Sequence, residues 1–358
     1  MAKEPSTRSA GKQPPETRAA ALRQALLRRL PRRIAGAGHV RFPAVPALLD
    51  SYVESLQTIF TTLGRPFSTA ELTKLRGILD EKLREGFRQS PYARVMITYE
   101  TATPPEVSLS YRIAVQISTI ADEYAEWVAT RTPPLFGAHA DAKVLALARE
   151  LGPPSEVPVL DVGAGTGRNT VPLARAGFPT DAVELAPALA AILRDEVTKQ
   201  GLAVRVFEGD ALDPALGIPT DHYRLVVLAE VVASHGRSVA QVRALLERMT
   251  ALLASGGLLL LSLFLTRSGY QPAPEIREAG EVFWSCLFTR NELFSAAAGL
   301  GLQLVSDESV YEFERQHLPP ESWPPTGWFS EWVNGLDVVD LPIGQSPFEL
   351  RWVAYRRR

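Results

Sequence analysis

The stretch Val157-Pro-Val-Leu-Asp161-Val-Gly163-Ala-Gly165-Thr-Gly167-Arg168 decides the fold. Val157–Val162 is an apolar run with an acid near its end, as expected of a strand buried on both faces. It enters a glycine turn, and Arg168-Asn-Thr-Val-Pro-Leu-Ala174 then opens a helix. Strand, glycine turn and helix together put a ligand at the carboxyl end of the strand. Glycine serves there because a side chain blocks close approach to the backbone and because the turn needs unusual φ values. From Val157 onward, strand and helix patterns alternate to the C-terminus. That alternation predicts an α/β fold, doubly wound and mostly parallel, with helices on both faces of the sheet.

A glycine turn is shared with dinucleotide enzymes, so the spacing has to discriminate. The dinucleotide fingerprint is G-x-G-x-x-G/A. Here the glycines run G-x-G-x-G, and Arg168 stands where the third small residue belongs. At every defining position, Asp161-Val-Gly163-Ala-Gly165-Thr-Gly167 resembles the first motif of class I, S-adenosylmethionine-dependent methyltransferases. The resemblance implies a Rossmann-like sheet of seven strands. It also implies that the backbone of Gly163, Ala164, Gly165 and Gly167 lies against the methionine and ribose parts of S-adenosylmethionine. Asp161 then supports the loop and faces the cofactor's ammonium.

Two further strand ends extend the resemblance. Thr180-Asp-Ala-Val-Glu184 ends in a carboxylate that can accept from both ribose hydroxyls, although NAD enzymes place an acid similarly. In Val204-Arg-Val-Phe-Glu-Gly-Asp210-Ala211, Asp210 fits the family position that accepts from the adenine amino group. The backbone of Ala211 or Leu212 then meets the ring. Arg224–Ala229 is the fourth strand, followed by Glu230, which lines the cofactor or substrate cavity. Ser255–Phe264 resembles the fifth. The resemblance is specific over about 155–265, and none is claimed for 1–130.

Methyl transfer from a sulfonium is an in-line displacement, so the protein's tasks are alignment, exclusion of water and sometimes removal of a proton. His235, just past the fourth strand, is the leading candidate base, with a structural loop histidine as the alternative reading. Tyr270, after the fifth strand, is the second. Amino-group nucleobase methylation typically carries an Asn/Asp-Pro-Pro-aromatic run after strand four, where this chain has Ala229-Glu-Val-Val232. Carbon-5 pyrimidine chemistry needs a Cys, typically after Pro, and Cys286 follows Ser285. The expected acceptor is a small molecule with an oxygen or nitrogen nucleophile. The alternatives are a protein methyltransferase, a cofactor binder that has lost catalysis and, more distantly, a dehydrogenase.

Composition agrees with a folded enzyme, at 46% apolar and 22% charged residues. A single cysteine, Cys286, excludes an intrachain disulfide and suggests a reducing compartment, most simply the cytoplasm. The five histidines lack metal-ligand spacing, so no metal is expected. The longest apolar run, near Leu258–Leu265, is too short for a membrane span of about 20 residues. Met1–Ala35 holds nine Lys/Arg against Glu4 and Glu16, leaving +7 there and −9 in the rest. An acidic body argues against nucleic acid.

Residues 1–45 read as a basic tail, disordered over 1–18, with an amphipathic helix at Ala19–Leu30. Residues 46–131 read as an α+β lid or interaction module. It has two helical stripes, a hairpin of Ala93–Tyr99 with Val107–Ile117, and a helix near Ile120–Val128. Residues 132–358 form the catalytic domain, opened by a linker at Thr132–Ala140. The strands expected last are Gln303–Phe313 and Phe348–Tyr355. Trp323, Trp328 and Trp332 between them either shape a substrate pocket or cover the sheet edge.

Overall fold

The structure is a computed structural model and describes residues 19–358, so the disorder expected for 1–18 lies outside the described residues. By contact the chain divides into two units. The first comprises residues up to Arg88 together with Arg94–Gln116, and the second comprises Gln89–Ala93 together with Ile117–Arg358.

In the first unit, α1 (Ala19–Arg29), β1 (Ala37–Pro43), α2 (Leu49–Thr62), α3 (Thr69–Gln89), β2 (Arg94–Thr101) and β3 (Leu109–Gln116) follow one another. The strands form an antiparallel sheet in the order β1-β2-β3. The heptad-like spacing of Leu49, Leu56 and Phe60 on α2 and of Leu75, Leu79 and Leu83 on α3 buries one stripe of each helix. Phe42 of β1 stacks on Tyr52 of α2 at 4.4 Å, and Phe60 meets Tyr99 of β2 at 5.8 Å. β1 corrects the sequence reading, which ended the tail at 45. Its alternation has only Val40 and Phe42 as large apolar residues, too few to stand out between glycines and prolines.

The second unit is the α/β body. It contains α4 (Ile120–Thr130), α5 (Ala142–Glu150), β4 (Val159–Val162), α6 (Thr170–Arg175), β5 (Thr180–Glu184), α7 (Pro187–Lys199), β6 (Val204–Glu208) and β7 (Tyr223–Leu228). Then come α8 (Val231–His235), α9 (Val239–Leu252), β8 (Leu253–Thr266), α10 (Pro274–Val282), β9 (Leu287–Phe288) and α11 (Arg290–Ala297). β10 (Leu302–Ser309), α12 (Val310–His317), α13 (Phe329–Trp332) and β11 (Phe348–Arg357) close it. Its main sheet runs β10-β11-β8-β7-β4-β5-β6, with β9 beside β8. The five strands β8-β7-β4-β5-β6 are mutually parallel, and β11 lies antiparallel between β8 and β10. This is the doubly wound, mostly parallel sheet that the alternation predicts.

Two boundaries moved. α4, expected in the N-terminal module ending at 131, belongs by contact to this unit, as does Gln89–Ala93. Phe313, expected in a strand, lies on α12. The core explains the order of the central strands: Leu225–Leu228 of β7 and Leu258–Leu261 of β8 are at most 3% exposed. Each such side chain contributes about 1.5–3 kcal/mol on burial. Among the described residues no helix is long and apolar enough to cross a membrane.

Candidate active site

The carboxyl ends of β4, β5 and β7, with the loop after β6, open onto one cavity of about 580 Å³. The glycine turn after β4 forms part of its wall. Gly163 has φ +71° and Gly165 φ +58°, conformations that only glycine adopts freely. A Cβ on Gly163 would lie 2.3 Å from Val231 Cγ2, and one on Gly165 would lie 3.3 Å from the Phe136 ring. Gly163, Ala164 and Gly165 line the cavity and Gly167 does not. A Cβ on Gly167 would meet Leu193 of α7 at 2.6 Å, so its smallness serves helix packing behind the turn.

The acids at the strand ends all line the same cavity. Asp161 is 2% exposed, accepts a 2.6 Å hydrogen bond from the Thr170 hydroxyl, and has its pKa pushed up by burial to about 6. Glu184 accepts from the Gly165 N–H at 2.7 Å and from the Ala186 N–H at 2.8 Å, one on each oxygen. It therefore ties the glycine turn to the start of α7 and keeps a free lone pair on each oxygen. Burial raises its pKa as well. Asp210 accepts from the Leu212 N–H at 2.9 Å, which shapes the loop that presents Ala211.

Glu230 adopts φ +65°, a left-handed backbone that is costly for a glutamate. Its N–H donates to Ser262 Oγ of β8 at 2.7 Å, and its Oε1 accepts from Arg168 Nη2 at 2.6 Å. Arg168 Nη1 donates to Asp141 Oδ1 at 2.5 Å, and Asn169 Nδ2 to Asp141 Oδ2 at 2.9 Å. The guanidinium thus bridges the buried Asp141 and the half-buried Glu230. Burial alone would lower its pKa, but the two carboxylates outweigh burial and raise it. The sequence reading gave Arg168 no role beyond breaking the dinucleotide fingerprint, and no local signal marked Asp141 as its partner.

Of the two candidate catalytic residues, His235 lines the cavity and Tyr270 does not. Tyr270 is a correction. β8 runs to Thr266, two residues past its expected end, and the turn that follows carries the tyrosine to Phe348 of β11, ring centroids 6.4 Å apart. His235 is enclosed, and burial lowers its pKa to about 4. Its ring lies 5.4 Å from that of Trp284.

Another part of the lining is aromatic, and sequence reasoning missed most of it. Tyr124 and Trp127 of α4 stand 5.5 Å apart, and Trp284 lies 5.4 Å and 5.0 Å from them. The Arg131 guanidinium sits 3.6 Å from the centre of the Trp127 ring. Trp328 and Trp332 also line the cavity, while Trp332, 4% exposed, packs its ring on Phe264. The tryptophan segment therefore does both things expected of it as alternatives, shaping the pocket and covering the sheet. Among the described residues no group of three His, Cys, Asp or Glu side chains is disposed to hold a metal.

The donor set fits S-adenosylmethionine: glycines face the cavity, and the carboxylates of Asp161, Glu184 and Asp210, which line it, can accept from a cofactor's ammonium, hydroxyl and amino groups. Comparison with known proteins bears on the same region. Residues 159–257 match the family described as methyltransferase domain. No curated protein matches the chain. Among solved structures, the chain is similar to a putative sarcosine dimethylglycine methyltransferase from Galdieria sulphuraria, with 16% identity, 61% of this chain and 84% of that one covered, and a TM-score of 0.46. It is also similar to geranyl diphosphate C-methyltransferase from Streptomyces coelicolor A3(2), with 18% identity, coverage of 61% and 76%, and a TM-score of 0.47. Likenesses of that extent carry no argument about substrate. The family match, the glycine turn and the strand-end acids identify residues 159–257 as a methyltransferase domain of the class I, S-adenosylmethionine-dependent kind.

Proposed function

We propose that the chain transfers the methyl group of S-adenosylmethionine to an oxygen or nitrogen atom of a small molecule in the cytoplasm. The observation that carries the reading is a single cavity with two unlike sets of lining residues. Asp161, Gly163, Gly165, Glu184, Asp210 and Ala211 form the wall suited to the cofactor, with Glu230 closing its inner end through Arg168. Tyr124, Trp127 and Trp284 form the wall left for an acceptor. A cavity of about 580 Å³ falls within the usual range for small-ligand sites of roughly 300–1,000 Å³. Flat aromatic rings favour an acceptor with an apolar or planar body. The unit built from Ala19–Arg88 and Arg94–Gln116 is then an accessory interaction module.

Calorimetric titration with S-adenosylmethionine, S-adenosylhomocysteine and NAD tests the cofactor. Binding of the first two, weakened in Asp161→Ala and Glu184→Ala, with NAD silent, is the expected result. A signal from NAD alone overturns it. Release of S-adenosylhomocysteine in the presence of a panel of small phenols, alcohols and amines then tests the acceptor class. Methyl label entering only protein fractions of a cell extract replaces it with the protein-methyltransferase alternative.

A further inference from the structure

His235 ends α8 inside the cavity, and two tyrosines distant in sequence meet the two nitrogens of its ring. Tyr92, in the short segment Gln89–Ala93, places its hydroxyl oxygen 3.2 Å from Nδ1 and 3.5 Å from the Ser234 carbonyl oxygen. Tyr124, on α4, places its hydroxyl oxygen 3.2 Å from Nε2. Tyr92 is 5% exposed and away from the cavity, whereas Tyr124 lines it. Trp284 closes the remaining side, stacked 4.6 Å from Tyr92. It does so at φ +57°, a conformation costly for a bulky residue, with its carbonyl accepting from Trp332 Nε1 at 3.3 Å.

The tautomer turns on which way the Tyr92 proton points. With the Tyr92 proton directed to the Ser234 carbonyl, which can only accept, the hydroxyl offers its lone pairs to the imidazole. Nδ1 is then the protonated nitrogen and Nε2 the bare one, and Nε2 accepts from the Tyr124 hydroxyl. The Tyr124 oxygen keeps lone pairs for a donor in the cavity. With both ring nitrogens of His235 engaged, a proton donor in the cavity exchanges its proton with them through the Tyr124 oxygen.

We propose that Tyr124 takes the proton of the methyl acceptor while passing its own to Nε2 of His235, and that Tyr92 is a positioning residue that holds the imidazole in the Nδ1–H form. This rests on the methyltransferase reading above. As the acceptor's O or N lone pair bonds to the methyl carbon, the C–S bonding pair stays on sulfur, the acceptor's proton goes to Tyr124, and Tyr124's goes to His235. The step consumes one positive charge at sulfur and creates one on the imidazole, so the charge of the enclosed cavity is unchanged. That balance matters most where water is excluded. The Tyr92 oxygen then supports the new imidazolium through Nδ1–H. The acceptor class narrows accordingly to neutral molecules with an O–H or N–H at the methylated atom.

The test is ¹⁵N NMR of the intact chain with labelled histidines and saturating S-adenosylhomocysteine, the His235 signals being those lost in His235→Gln. The expected spectrum has Nδ1 protonated and Nε2 bare but hydrogen-bonded at neutral pH. In Tyr92→Phe the tautomer preference is lost, and in Tyr124→Phe Nδ1 stays protonated while Nε2 shifts to the position of a free nitrogen. An Nε2–H tautomer, or a ring insensitive to both substitutions, overturns the proposal. Turnover of the acceptor that the small-molecule panel yields gives the kinetic arm. Tyr124→Phe and His235→Gln each lower kcat about 100-fold or more, and the double variant loses no more than either. Independent, multiplying losses overturn a shared path. Unchanged calorimetric binding of S-adenosylhomocysteine is expected in all three variants, and its absence in the wild type overturns the cofactor reading instead.

Discussion

Replacing Asp161 by Asn separates what this carboxylate costs the fold from what it does for the cofactor. The side chain is 2% exposed and receives one hydrogen bond, from Thr170 at 2.6 Å. Burial outweighs that bond and the nearby Arg168 charge, so the pKa rises from 3.8 to about 6. The native state therefore holds a proton through a window in which the unfolded chain has already released it. Stability from this group falls as pH rises through that window, and the loss is complete above the folded value. The full window is worth about 3 kcal/mol, and about 2 kcal/mol of it lies between roughly pH 4.5 and pH 8. Asn cannot ionise, so the variant escapes this loss. Urea unfolding of both proteins at the two pH values reads it directly. The stability difference should move in favour of the variant by about 2 kcal/mol on going to the higher pH. Any constant penalty from the amide group cancels in that comparison. A difference that is flat with pH, or that moves toward the wild type, refutes the reasoning. At the higher pH the same substitution should weaken S-adenosylhomocysteine binding, so the site gives up stability for affinity.

His235 slopes the other way. Tyr92, Tyr124, Trp284 and the Ser234 carbonyl face the ring, and burial lowers its pKa from 6.5 to about 4. The unfolded chain takes up the proton first on acidification, so the wild type loses about 3 kcal/mol across that window and His235→Gln does not. Gly163→Ala forces a Cβ into Val231 at a positive φ. It should cost about 2 kcal/mol or more in urea unfolding and abolish cofactor heat in calorimetry. Glu230→Gly relieves a left-handed backbone worth about 1–2 kcal/mol but strips one carboxylate from buried Arg168. Loss of a buried partner costs about 3–5 kcal/mol, so the variant should be less stable in the same assay, and a gain would mean that the strain dominates. Tyr270→Phe should change stability by no more than about 0.5 kcal/mol and leave cofactor heat untouched, since the residue stands off the cavity.

The strand-end lining of the cavity was legible because its signals are local. The glycine spacing, Asp161, Glu184 and Asp210 each sit within a few residues of a strand end, and a parallel sheet gathers its strand ends along one edge. Gly167 belonged to the same motif but answers to Leu193, which lies a helix away. The aromatic lining was not legible. Tyr92, Tyr124 and Trp284 meet around His235 from segments that no periodicity connects, and a tyrosine in an amphipathic helix reads the same whether it faces core or cavity. Tyr270 was misplaced for a metric reason: two extra residues of β8 carry the following turn past the cavity. β1 was hidden by its composition, since an edge strand with two large apolar residues resembles a tail.

The five residues Gln89–Ala93 group with the α/β body although the chain on either side of them groups with the three-stranded unit. The backbone therefore enters the catalytic unit, leaves it and re-enters it, so no single cut yields both units intact. A chain trimmed to the family-like region would discard Tyr92 together with the sheet. The three-stranded unit and the segment that carries Tyr92 are in that sense joined by covalent threading.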